Sequence, residues 1–164
     1  MKILKKAAIV VACLVGLYYF SFGALYLAGF RVYRFPTAAM EPTIQKNEMA
    51  IGRLSDSYRD KISRFDIAAC RVRLEASEEL YGKRVIGLPG ERITINAQGV
   101  KIDGRVLALP AAMNLNGLKI KPCELTIPND AVFVLGDNTP NSADSRYLGP
   151  ILKKDVVGYL VFKK

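Results

Sequence analysis

Between Ala7 and Phe30 the chain runs for 24 residues without a charged side chain, and this run constrains the fold more than any other feature. As a helix it would be about 36 Å long against a bilayer core of about 30 Å, so it can span a membrane with some tilt. Tyr18, Tyr19 and Tyr26 lie along it. Tyrosine is common at membrane–water boundaries, although Tyr18 and Tyr19 sit deeper than that. A cleaved leader is the competing reading, but its apolar region is usually about 7–15 residues and ends in a small-x-small site. Here the residue two before Gly29 is Leu27. We therefore read residues 7–30 as an uncleaved anchor, residues 1–6 as a cytoplasmic N-terminus and residues 31–164 as an extracytoplasmic domain. Lys2, Lys5, Lys6 and the free amino group precede the run, while Arg31 and Arg34 follow it. The slight excess of positive charge before the run sets this orientation.

The net charge is +9, and the first 30 residues contain three lysines and no acid, which leaves +6 on the remainder. Such a surface is attracted to anionic lipid headgroups near the tether. It has no basic run or recognition-helix pattern of the kind that binds nucleic acid. Cys13 lies in the apolar run, and Cys70 and Cys123 lie beyond it. In an oxidising compartment the latter two are candidates for a disulfide, though their spacing does not fix the distance between them.

After the anchor the pattern is that of short strands. Candidates are 49–54, 65–72, 83–88, 92–95, 100–102, 105–107, 131–135 and 156–162. Asp103-Gly104 is a tight-hairpin pair, and the run 131–135 is apolar throughout, as a buried strand is. A short helical turn is expected around Ala76–Leu80, and residues 108–124 read as a loop or small excursion. Together these predict a mainly β, compact, multi-sheet or barrel-like domain behind one N-terminal helix. The stretch Arg31–Phe35 is short enough to hold that domain close to the membrane.

The chain contains no histidine. That removes Ser-His-Asp and Cys-His sites and histidine-ligated zinc, and three scattered cysteines make a poor metal site. A hydrolytic base must then be Lys, Asp or Glu. Three segments concentrate candidate chemistry: Pro36-Thr37-Ala38-Ala39-Met40-Glu41-Pro42-Thr43-Ile44, the stretch from Gly82 through Lys83 to Glu91, and the stretch from Gly136 to Arg146.

In this order the three segments resemble sequence blocks of bacterial type I signal peptidases. Phe65-Asp66-Ile67-Ala68 is similar to a further short block, and the N-terminal anchor matches as well. The resemblance covers most of the chain apart from about residues 108–124. It implies a serine endopeptidase of the Ser-Lys type in the bacterial inner membrane, acting on exported preproteins with signal peptides, without metal or cofactor. By this resemblance the nucleophile position is Ala39, the general base is Lys83, and the oxyanion donors are Thr37 and the Ala39 backbone. Ser142 holds the lysine, while Asp144 and Arg146 support the site. Met40 is implied to lie near membrane or substrate. Asp66, Glu91 and the Asp137-Asn138 pair read as turn residues.

The chemistry explains these residue types. A serine needs a base to take its proton, and lysine serves only when neutral, below its reference pKa of about 10.4. Burial between Val85, Ile86 and Leu88 favours the neutral amine. Ala39 is the departure, because a methyl group cannot attack a carbonyl. Two histories give this pattern: a serine replaced to trap an inactive form, or a natural non-catalytic relative that binds signal peptides. Retention of Lys83, Ser142, Asp144 and Arg146 favours replacement or a recent loss. A specialised pilin or conjugation-protein peptidase is a further alternative, against which the Met40-Glu41-Pro42-Thr43 form favours the general type. A self-cleaving repressor of the Ser-Lys type is opposed by the membrane run.

Overall fold

The computed structural model of the chain describes residues 2–54, 59–74, 77–113 and 123–161. Helix α1 spans Lys2–Leu27. From residue 9 to Leu27 every side chain is exposed, so the domain covers none of this apolar surface. The helix stops three residues before the uncharged run does. Gly29 turns the chain at φ 86°, and Phe30 opens the first strand. Hydrophobicity cannot locate that boundary, because the first sheet residue is as apolar as the helix.

Eleven strands follow among the described residues: β1 (Phe30–Arg34), β2 (Met49–Leu54), β3 (Ile67–Leu74), β4 (Ser77–Gly87), β5 (Arg92–Asn96), β6 (Gly99–Ile102), β7 (Arg105–Val106), β8 (Cys123–Thr126), β9 (Ala131–Leu135), β10 (Ile151–Leu152) and β11 (Val156–Leu160). One four-residue helix, α2 (Ser145–Leu148), lies between β9 and β10. The strands form a seven-stranded sheet in the order β1-β2-β11-β3-β4-β9-β10 and a four-stranded sheet in the order β7-β6-β5-β8. Every recorded pairing is antiparallel.

Strand β9 shows why the core lies where it does. All five of its residues are buried. Ala131, Phe133 and Leu135 face a cluster with Ile86, Ile93, Ile95 and Val100, which joins the two sheets. Val132 and Val134 face the other side, against Ala68, Cys70, Val85 and Val156. A strand covered on both faces has no polar face to present, hence its unbroken apolar sequence. No disulfide joins Cys70 to Cys123, which lie in different sheets, Cys70 on β3 and Cys123 on β8.

Two expectations are corrected. Ser77–Leu80 belong to β4 and pair with β3 from Leu74 to Arg71; Ala76 lies outside the described residues. Glu and Leu favour helix only weakly, and a paired neighbouring strand overrides that preference. Residues 108–124 are not all loop, because Cys123 opens β8, which pairs with β5; residues 114–122 lie outside the described residues. Arg31–Phe35 is mostly strand, paired with β2 from Phe30↔Arg53 to Arg34↔Met49.

Candidate active site

The first candidate segment is the loop between β1 and β2. Its apolar residues Phe35, Met40 and Ile44 pack on Ile67 of β3 as a small core of their own. Met40 is 1% exposed and serves as core, contrary to the expectation that it meets membrane or substrate. Local turns shape the rest: Glu41 N donates to Ala38 O at 3.2 Å, and Ile44 N to Met40 O at 2.9 Å. Asn138 then pins the loop from across the sheet. Its backbone N–H reaches Ala39 O and its side-chain amide reaches Ala38 O, both at 3.0 Å.

A buried ion pair fastens the same loop to β4. Arg84 donates to Asp137 from Nε at 2.7 Å and from a terminal nitrogen at 2.6 Å, and its other terminal nitrogen reaches Phe65 O at 2.9 Å. Thr43 donates its hydroxyl to the same Asp137 carboxylate. Asp137 was expected only to shape a turn, and Arg84 carried no expectation. Both are essentially inaccessible to solvent. A strand places Lys83 and Arg84 on opposite faces, so the period-2 pattern gives a clue only that one of the two basic residues must be buried.

Lys83 sits on β4 opposite Ala68 of β3 and is 5% exposed. It lines an open cleft of about 400 Å³ with Thr37, Ala39, Tyr81, Asn141 and Ala143. Burial pushes its pKa down; the Asp144 carboxylate and Cys70 oppose that shift, and Arg146 adds to it. Its nitrogen lies 5.3 Å from the Tyr81 ring centre. Cys70, on the same face of β3, is a poor nucleophile: burial pushes its thiol up to about 12, so it stays protonated.

The third segment follows β9. Asp144 caps α2, accepting from Arg146 N at 3.3 Å, and it also accepts from Gly136 N at 3.0 Å. Arg146 grips the same carboxylate with Nε at 2.8 Å and a terminal nitrogen at 2.9 Å, and donates to Thr139 O at 2.6 Å. Asp144 and Arg146 thus brace the loop without lining the cleft. Ser145, which sequence reasoning passed over, accepts from Val134 N at 3.0 Å and ties α2 to β9. Ser142 is buried, and its Oγ has no hydrogen-bond partner. It packs at Gly136, where a methyl group would sit 2.3 Å from Ser142 Oγ and 2.5 Å from Ala39 O. The pair Arg84↔Leu135 brings Gly136, one residue on, alongside Lys83.

Thr37, Ala39 and Lys83 therefore share one cleft, with Ser142 between two residues that line it and Asp144 and Arg146 behind. Asp66 and Glu91 are turn acids, accepting from Ser63 N at 2.9 Å and Leu88 N at 2.7 Å. Among the described residues no three His, Cys, Asp or Glu side chains gather as a metal site.

Known proteins are similar to this chain in sequence and in fold. Signal peptidase I V of Bacillus subtilis is 32% identical over 141 residues, which cover 78% of this chain and 82% of that protein. A signal peptidase I of Bacillus amyloliquefaciens is 34% identical over 129 residues, covering 73% of this chain and 68% of its own. A probable signal peptidase I-2 of Synechocystis is 32% identical over 133 residues, or 75% of this chain; the chain spans only 57% of that protein's length. Among solved structures, a signal peptidase I of Enterococcus faecalis superposes with a TM-score of 0.51 at 32% identity, over 61% of this chain and 97% of its own. The family described as signal peptidase, peptidase S26, matches residues 3–163, from the start of the apolar helix to past the last strand, and the chain belongs to it.

Proposed function

We propose that this chain is a membrane-anchored signal peptidase of the Ser-Lys type whose catalytic residue is missing, so that it binds signal peptides of exported preproteins without cutting them. The observation that carries this reading is the meeting of Ala39 and Lys83 in one cleft. The names of the relatives support the substrate class.

With serine at residue 39 the steps follow from the geometry. Lys83, whose neutral amine burial favours, takes the hydroxyl proton as the oxygen attacks the scissile carbonyl. The developing oxyanion meets the residue-39 N–H, which has no acceptor among the described residues, and the hydroxyl of exposed Thr37. Ser142, to which the family resemblance gives the task of holding the lysine amine, is buried with its Oγ unpartnered. Asp144 and Arg146 hold the Ser142 loop against Gly136 and Thr139. The amine then returns its proton to the leaving nitrogen, and water repeats the sequence on the ester. With Ala39 no step after binding is possible.

Helix α1, read as an anchor in the bacterial plasma membrane with the N-terminus inside, holds this cleft where a membrane-bound preprotein presents its cleavage point. The test is Ala39→Ser. It is expected to cleave a preprotein in detergent or lipid, and adding Lys83→Ala is expected to abolish that cleavage. A folded Ala39→Ser protein that cuts no preprotein would reject the Ser-Lys reading and leave a binding protein. Failure of the unaltered chain to bind any signal peptide would reject both.

A further inference from the structure

The position of Lys83 has a chemical consequence that does not depend on peptide cleavage. Lys83 pairs with Ala68 of β3, on a strand that β9 flanks on the other side from Arg84 onward. Its side chain is buried, yet it lines a cleft open to solvent. No ion pair or hydrogen bond engages its nitrogen among the described residues, and the carboxylate that acts on it electrostatically, Asp144, is gripped twice by Arg146. The other ionisable groups facing it are Cys70, Glu79, Tyr81 and Arg34. Cys70 is held as a thiol with a pKa of about 12 and does not compete as a nucleophile. At residue 39, where a hydroxyl would occupy this amine, there is only a methyl group.

We propose that Lys83 is a carbonyl-capturing amine, whose Nζ forms a reversible imine with small aldehydes entering the cleft. The nitrogen lone pair adds to the carbonyl carbon, and the carbonyl oxygen takes up a proton to give a carbinolamine. Loss of that hydroxyl as water, with the remaining nitrogen proton, leaves the C=N bond; nothing is oxidised or reduced. A neutral, desolvated lysine amine is the form that attacks carbonyls. The small side chains of Ala39 and Ala143, which line the cleft beside Lys83, admit a short aliphatic chain.

The experiment is reductive trapping of the intact chain in detergent micelles with propanal and cyanoborohydride at neutral pH, followed by peptide mapping. Lys83 is expected to be alkylated about ten-fold faster than the exposed Lys46 and Lys154. Ala39→Ser is expected to slow Lys83 alone, because the restored hydroxyl engages the amine. Alkylation of Lys83 no faster than of those two surface lysines would overturn the proposal, as would a preference that survives denaturation. No preprotein enters this assay, so its failure and a failure of the peptidase reading are separately visible.

Discussion

Lys83 and Arg84 are neighbours in β4, both almost fully buried, and they meet burial in opposite ways. Arg84 is matched by Asp137 in a two-point contact and by the Phe65 carbonyl. Breaking a buried pair from one side leaves an uncompensated charge, so Arg84→Leu or Asp137→Leu alone is expected to cost about 3–5 kcal/mol. The double substitution should cost clearly less than the sum of the two, as measured by urea denaturation of all four proteins. Lys83 has no such match, and its folded pKa lies below its ordinary value of 10.5 because burial disfavours the ammonium. Between the folded and unfolded pKa values the unfolded chain binds more protons, so this group makes stability rise with pH there. Below the folded pKa both states are protonated and the full cost of the buried charge is present. Lys83→Met is therefore expected to raise the denaturation midpoint near neutrality, with the gain shrinking as pH climbs toward 10.5. An equal gain at about pH 6 and about pH 10 would contradict this account.

At the scale of elements, what could be read in advance follows from local rules, and what could not follows from contacts between distant segments. Asp103-Gly104 is a hairpin turn with both residues at positive φ, 49° and 79°, as the dipeptide predicts between β6 and β7. The apolar run 131–135 is the buried strand it resembles. Strand β8 was missed because four residues alternating half-buried and exposed give too short a pattern to count. In the site, Thr37, Ala39 and Lys83 are legible from the sequence blocks they stand in. Arg84–Asp137 and the Ser145 contact were not, since pairing between residues 53 or 11 positions apart leaves no local trace. Met40 stands in a conspicuous block yet faces the core beneath the loop. The seam between that loop and β9 passes at Gly136, which gives an element-level test. Gly136→Ala would force a methyl group against Ala39 O and Ser142, costing about 1–3 kcal/mol of stability. In an Ala39→Ser background it should also slow cleavage. Gly104→Ala, strained at its own turn, is expected to cost about 1 kcal/mol and leave the cleavage rate unchanged, as thermal melts and a preprotein assay would show.

Across the whole molecule, the apolar helix and the seven-stranded sheet are joined without slack. Two residues separate α1 from β1, and Leu54 N of β2 donates to Gly29 O at 2.8 Å inside that joint. Arg31 folds back to the helix end, donating to Tyr26 O at 2.8 Å with its guanidinium 3.6 Å from the Tyr26 ring centre. If α1 is an anchor, this joint fixes the height of the cleft above the bilayer rather than merely keeping the domain nearby. A rigid tether sets a high effective concentration for a substrate held in the same membrane, and a flexible one dilutes it roughly as the −3/2 power of its length. Inserting about 20 Gly/Ser residues between Gly29 and Phe30 in the Ala39→Ser chain is therefore expected to lower cleavage of a preprotein in proteoliposomes several-fold. Cleavage of a soluble peptide by the same protein in detergent should not change, because Lys83, residue 39 and Ser142 are untouched. Equal losses on both substrates would mean that the joint holds the sheet together rather than positioning it. No loss on either would mean that the membrane delivers substrate without help from the height of the tether.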